Sequence, residues 1–140
     1  MNAGNGSIDI EVQGQRAPAY SLHVTLTNRT GRAVTTYLSL LPWGGQYGLL
    51  LVAVKTDATG TLLATKALID DPGPSTVTIE ANQTLTGEVD LENRFPDLRG
   101  ALRERDVVVF WSYQFQPVDE APAARVGGYV LFPKEERKAP

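Results

Sequence analysis

The chain has 140 residues, of which 13 are basic and 16 acidic for a formal charge of −3, with 42% hydrophobic and 21% charged residues. That length fits one domain able to bury roughly two-thirds of the surface its unfolded chain exposes, and the charge balance gives no reason to expect phosphate-backbone binding, which requires a clustered basic face. Having no cysteine removes thiol nucleophiles, disulfides and thiolate metal sites. The longest apolar run, residues 49–54, falls far short of the about 20 residues that span a bilayer.

Residues 1–7 are small and polar and are expected to be a flexible terminus. Residues 7–12 alternate Ile8, Ile10 and Val12 against Asp9 and Glu11, which predicts a short first strand at a sheet edge. A loop is expected over 14–18. Residues 20–27 set Tyr20, Leu22, Val24 and Leu26 against Ser21, His23, Thr25 and Thr27, the clearest half-buried strand, ended by a turn at Asn28 to Gly31. The β-branched and aromatic run 33–41 predicts a third strand, stopped by Pro42.

Residues 42–48 form a glycine-rich loop carrying Trp43 and Tyr47. Residues 49–55 are apolar at both parities, which predicts a strand covered on both sides or by the chain ends. Asp57 to Gly60 signals a hairpin turn into a strand over 61–68. The two prolines in 70–74 forbid regular structure there. Residues 76–80 and 85–91, around a turn at 81–83, read as one interrupted strand or a hairpin. Only 95–105 has helical character, with Pro96 at a first helical position and two turns at most. In 107–115 the odd positions Val107, Val109, Trp111, Tyr113 and Phe115 are all large and apolar, which places Trp111 at the centre of the core. Residues 125–132 are the last strand, and 133–140 a flexible charged tail. The pattern predicts an all-β fold: an antiparallel, immunoglobulin-like β-sandwich of seven to nine strands over residues 8–132, with Greek-key links and one short helical turn.

The succession LHVTLTNRTG, an aromatic proline-containing loop, LLLVAVKTDATGTLLAT, a proline loop, LTGEVDL and VVVFWSYQF resembles a bacterial immunoglobulin-like module. Its layout is similar to the sandwich segment preceding the catalytic domain of deuterolysin-type metalloproteases, and to small intracellular protease-inhibitor sandwiches. The antibody-type cysteine pair is absent and no zinc-binding helix motif occurs, so no protease chemistry carries over. What the resemblance implies is a non-catalytic accessory role.

Candidate chemistry is sparse. His23 is the only histidine and lies on the polar parity of its strand, where a triad or an imidazole zinc site lacks its other members. Asp57 reads as a turn residue. Asp70 and Asp71, with Asp57 or Asp119 and Glu120, lack the tight alternation of a calcium loop. Asn28 and Asn82 head glycosylation triplets in turns where asparagine is wanted anyway. The Gly44 to Gly48 run opens no helix and has no following lysine, unlike a phosphate cradle. Arg94, Arg99, Arg103 and Arg105 alternate with acids and read as a solvated mixed-charge face. Large aromatics in a loop either cap a core or present a partner surface, so Trp43, Gln46 and Tyr47 are the candidate binding residues. The expectation is a non-enzymatic module without metal or cofactor that binds a protein through its end loops. A protease-inhibitor-like module is one alternative; a carbohydrate-binding sandwich stacking sugars on Trp43, Tyr47 and Tyr37 is another. An extracytoplasmic fragment is favoured over a cytoplasmic one.

Overall fold

Strand β2 (Ser21–Asn28) turns Leu22, Val24 and Leu26 completely away from solvent while its alternate residues face outward, the arrangement that its period-two sequence demands. It pairs antiparallel with β1 (Ile8–Gln15) on one side and β6 (Thr84–Asp90) on the other. Opposite it lies a second antiparallel sheet, ordered β4 (Leu50–Lys55), β7 (Val107–Tyr113), β8 (Val126–Phe132). A short pair, β3 (Val34–Tyr37) with β5 (Thr76–Ile79), completes eight strands among the described residues. The computed structural model describes residues 7–66 and 73–136. The fold is an all-β antiparallel sandwich. Its core unites Leu22, Val24 and Leu26 of the first sheet with Leu51, Ala53, Val107, Val109 and Phe132 of the second, and the Tyr20 ring meets Phe132 edge-on at 5.6 Å.

β5 and β6 are successive parts of one interrupted strand. The registers Thr27↔Thr84 and Val34↔Ile79 bracket the break, and Asn28 bridges it: its N–H donates to the Gln83 carbonyl, while its own carbonyl accepts from Asn82 N. The Asn28 side chain is fully buried, donating to the carbonyls of Arg32 (2.7 Å) and Ile79 (2.9 Å) and accepting from the Thr30 N–H and hydroxyl. All four of its hydrogen-bonding positions are therefore used. A glycan on this nitrogen is incompatible with the fold.

Several boundaries differ from the sequence reading, each for a local reason. β1 runs on through Gly14 and Gln15, which pair with Leu22 and Ser21, and glycine is needed at 14 because the space a β-carbon would take is filled by Val130 and Phe132 of β8. β3 ends at Tyr37, and residues 38–40 form a 3-10 turn, since beyond Tyr37↔Thr76 the partner chain carries Pro74, which has no N–H for a ladder. Residues 61–66 contribute a single bridge, Leu62 to Val54, before Lys66 N bonds to Arg94 O; residues 67–68 lie outside the described residues.

There are two short helices among the described residues, α1 (Leu91–Arg94) and α2 (Leu98–Leu102), with Pro96 between them. Asp90 caps α1 by accepting from the N–H groups of Glu92 and Asn93, an end signal that the strand-like pattern of 85–91 concealed. Trp111 faces the core side but is only half-buried. Its indole lies over its cross-strand neighbour Gly128, where a β-carbon would come within 3.0 Å. Phe95 and Phe132 are the largest fully buried side chains of the interior, joined there by Tyr20, Tyr113 and Phe115. The strand at 49–55 is covered on one face only: Leu50 and Val52 are exposed.

Candidate functional site

The loop at 42–48 is a braced turn. After the 3-10 turn Leu38–Leu40, Leu41 N bonds to Leu38 O and Gly44 N to Leu41 O at 2.8 Å. A second 3-10 turn, Gly45–Tyr47, follows, and Leu49 N returns to Pro42 O at 3.0 Å to close the loop. The loop is held from both sides. The Arg94 guanidinium at the end of α1 donates to Gly45 O (3.3 Å), and the Tyr113 hydroxyl in β7 donates to Leu40 O (2.5 Å). Burial pushes the Tyr113 phenol well above its ordinary range, so it stays a donor. Leu41 and Leu49 belong to the core, and Pro42 is buried beside them.

The loop's two aromatics have different surroundings. Trp43 is half-buried over Gly87 of β6, at an inward position where any side chain would fall inside the indole. It packs against the core, substituting for the side chain that β6 lacks between Leu85 and Val89. Tyr47 is 42% exposed. It lines a groove of about 420 Å³ together with Tyr37, Ser39, Leu40, Gly73 and Pro74, none of them charged. Leu38 N bonds to Ser75 O, tying the far wall to the near one. The structure thus brings Tyr47 together with Tyr37 and sets Trp43 apart from both. The Gln46 side chain lies outside the described part of the chain. Ser39, Leu40 and Pro74 join the site only through the fold, since nothing in their local pattern marks them.

Several of the remaining candidates have structural roles of their own. His23 stands outward in β2, with Nδ1 3.6 Å from a Glu88 carboxylate oxygen. Asp57 is a turn cap: its carboxylate accepts from the Thr61 N–H (2.9 Å) and hydroxyl (2.6 Å), and these bonds hold its pKa at about 2. Gly60 completes that turn at φ +64°. Asp70 and Asp71 lie outside the described residues, and among those described no three His, Cys, Asp or Glu side chains converge as a metal set. Glu120 pairs with Arg32, far in sequence from Asp57. Asn82, unlike Asn28, is exposed and takes a positive φ of 65° in its turn.

In the stretch holding Arg94, Arg99, Arg103 and Arg105, Arg99 sits at the centre of a network. It donates to Glu92 at 2.5 Å, sits 3.7 Å from Glu135, and lies over the Tyr20 ring at 5.3 Å. Glu92 in turn accepts from Tyr20 N, and the Arg99 bond holds its carboxyl below the usual range. The Tyr20 hydroxyl donates to Glu135, whose N–H bonds to Leu102 O. This network fastens α1, α2 and the chain beyond β8 to the start of β2. Among the described residues no helix is long and apolar enough to cross a membrane. No family model matches the chain, and no curated protein matches it significantly.

Proposed function

We propose that this chain is a non-catalytic binding module whose sandwich holds an aromatic groove, walled by Tyr37 and Tyr47, for a protein partner. The observation that carries this reading is the pairing of two exposed tyrosines in one groove, uncharged among its described lining residues, on a hydrogen-bonded loop. Tyrosine supplies large contact area with few rotatable bonds, and a braced loop loses little entropy on docking. A rigid loop also suits the inhibitor-like reading, since inhibition of a protease is one form of protein binding. Carbohydrate binding is the second reading, supported by the same two rings as a stacking platform without Trp43, whose ring is committed to Gly87.

The test is a panel of proteases assayed for inhibition, polysaccharides assayed for retention, and partner capture, each run with wild type, Tyr37→Ala and Tyr47→Ala. A protein ligand is expected to lose more than about 1 kcal/mol of binding with either substitution, at little change in melting temperature. Retention on a polysaccharide that both variants abolish selects the second reading. A ligand indifferent to both substitutions moves the site, with β1 the next place to look, because an edge strand accepts an incoming strand.

A further inference from the structure

The two sheets present opposite chemistry to solvent. The outer face of the β1–β2–β6 sheet carries Glu11, Gln13, His23, Thr25, Thr86 and Glu88, the usual polar side of an antiparallel sheet. The outer face of the β4–β7–β8 sheet is apolar. Register places Val52, Phe110 and Tyr129 in one row across it, with Leu50 and Leu131 in the rows on either side, and these five are 46%, 47%, 68%, 54% and 51% exposed in that order. Val54 and Val108 extend the patch, and the Phe110 and Tyr129 rings touch at 6.2 Å. Among the described residues no charged side chain of these three strands stands on this face; Arg125 lies at its end, donating to Ser112. A contiguous apolar surface of this kind marks an interface.

Area, charge and shape together identify the occupant. At about 200 Å² for a fully exposed large side chain, the five fractions leave roughly 500 Å² per copy. Two such faces together would therefore remove about 1,000 Å² or more from water, the scale at which specific interfaces begin. Each chain carries a net charge of −3, yet the strands place none of it on this face, so two copies meet here without burying an ion or opposing like charges. The register also makes the face self-complementary. A two-fold axis parallel to the strands lays β4 of one copy over β8 of the other, which sets the smaller Val52 against the larger Tyr129, and Leu50 against Gly127. Phe110, on the middle strand, then meets its own counterpart. Aligned sheets pack in this manner at about 10 Å separation.

We propose that the outer face of the β4–β7–β8 sheet is a homodimer interface, formed face to face with β4 of each copy over β8 of the other. This surface is distinct from the Tyr37–Tyr47 groove, so it stands or falls independently of the binding reading.

Sedimentation equilibrium of the full chain tests it. Wild type is expected at twice the chain mass, with a dissociation constant of about 10 μM or lower. Val52→Lys and Tyr129→Glu, each at an exposed site and each checked for an unchanged circular dichroism spectrum, should be monomeric, with association weakened at least about 100-fold. Mixed together they should recover a heterodimer, because the ammonium introduced into β4 of one variant then faces the carboxylate introduced into β8 of the other. A monomeric wild type would overturn the proposal, as would a dimer that survives both single substitutions. Two variants that stay monomeric on mixing would overturn the β4-over-β8 arrangement.

Discussion

Trp43 fills the place of a side chain that Gly87 does not have. The indole comes from a loop some forty residues earlier in the chain and lies against the bare backbone of β6, so the two positions are one packing unit. Gly87→Ala should cost about 1–3 kcal/mol, because the new methyl expels the ring. Trp43→Ala should also destabilise. In the Trp43→Ala background the added cost of Gly87→Ala should largely vanish, which denaturant titration of the four proteins measures as a coupling energy. Additive losses would mean the two residues do not share a site.

Phe95 is completely buried, whereas Trp111 is half-covered. Phe95→Ala should therefore cost about 3–5 kcal/mol and Trp111→Ala less, although tryptophan is the larger residue. Urea midpoints at constant slope are the measurement. A larger loss at Trp111 would contradict the burial order.

Asn28→Ala should cost about 2–3 kcal/mol, since it strands the carbonyls of Arg32 and Ile79 inside the protein without donors. Asn82→Gly, at the positive-φ turn facing Asn28, should be neutral or slightly stabilising, because glycine takes that conformation without strain. Thermal denaturation of the two variants side by side separates the buried hub from the turn residue.

Asp57 predicts a pH dependence. Its carboxyl is lowered from the usual 3.8 to about 2, chiefly by the Thr61 hydroxyl and N–H, so the folded state favours the ionised form. That stabilisation is complete above about pH 5 and is lost as the pH falls through 4 towards 2. Asp57→Asn should consequently melt below wild type at neutral pH, with the gap closing as the pH approaches 2. A gap that stayed constant across this range would remove Asp57 from the acid response.

The strands were legible wherever one side of the chain met the core and the other met water, as in residues 20–27 and 85–89, because burial and solvation then write a period of two. Legibility failed where the deciding partner was remote. Leu38 and Leu40 continue a β-prone run, yet the strand stops because Pro74 opposite offers no N–H. Asp90 belongs to a strand pattern and at the same time caps a helix. Trp43 and Tyr47 are alike in their local sequence, and only Gly87 distinguishes the covered ring from the exposed one.

Taken by itself, the sequence determined the all-β class, the order of most strands, the turn at Asp57 to Gly60 and the parity of each apolar stripe, all of which follow from local periodicity and backbone preference. The tertiary structure alone decided which stripes find a cover. Residues 49–54 and 107–111 are apolar at both parities, and such a run fits a doubly buried strand as well as a strand with one open face. Only the stacking of two sheets, with no third layer among the described residues over Val52, Phe110 and Tyr129, turned that hydrophobic excess into a surface. Burial is a property of what arrives from elsewhere in the chain, and a period of two cannot encode it.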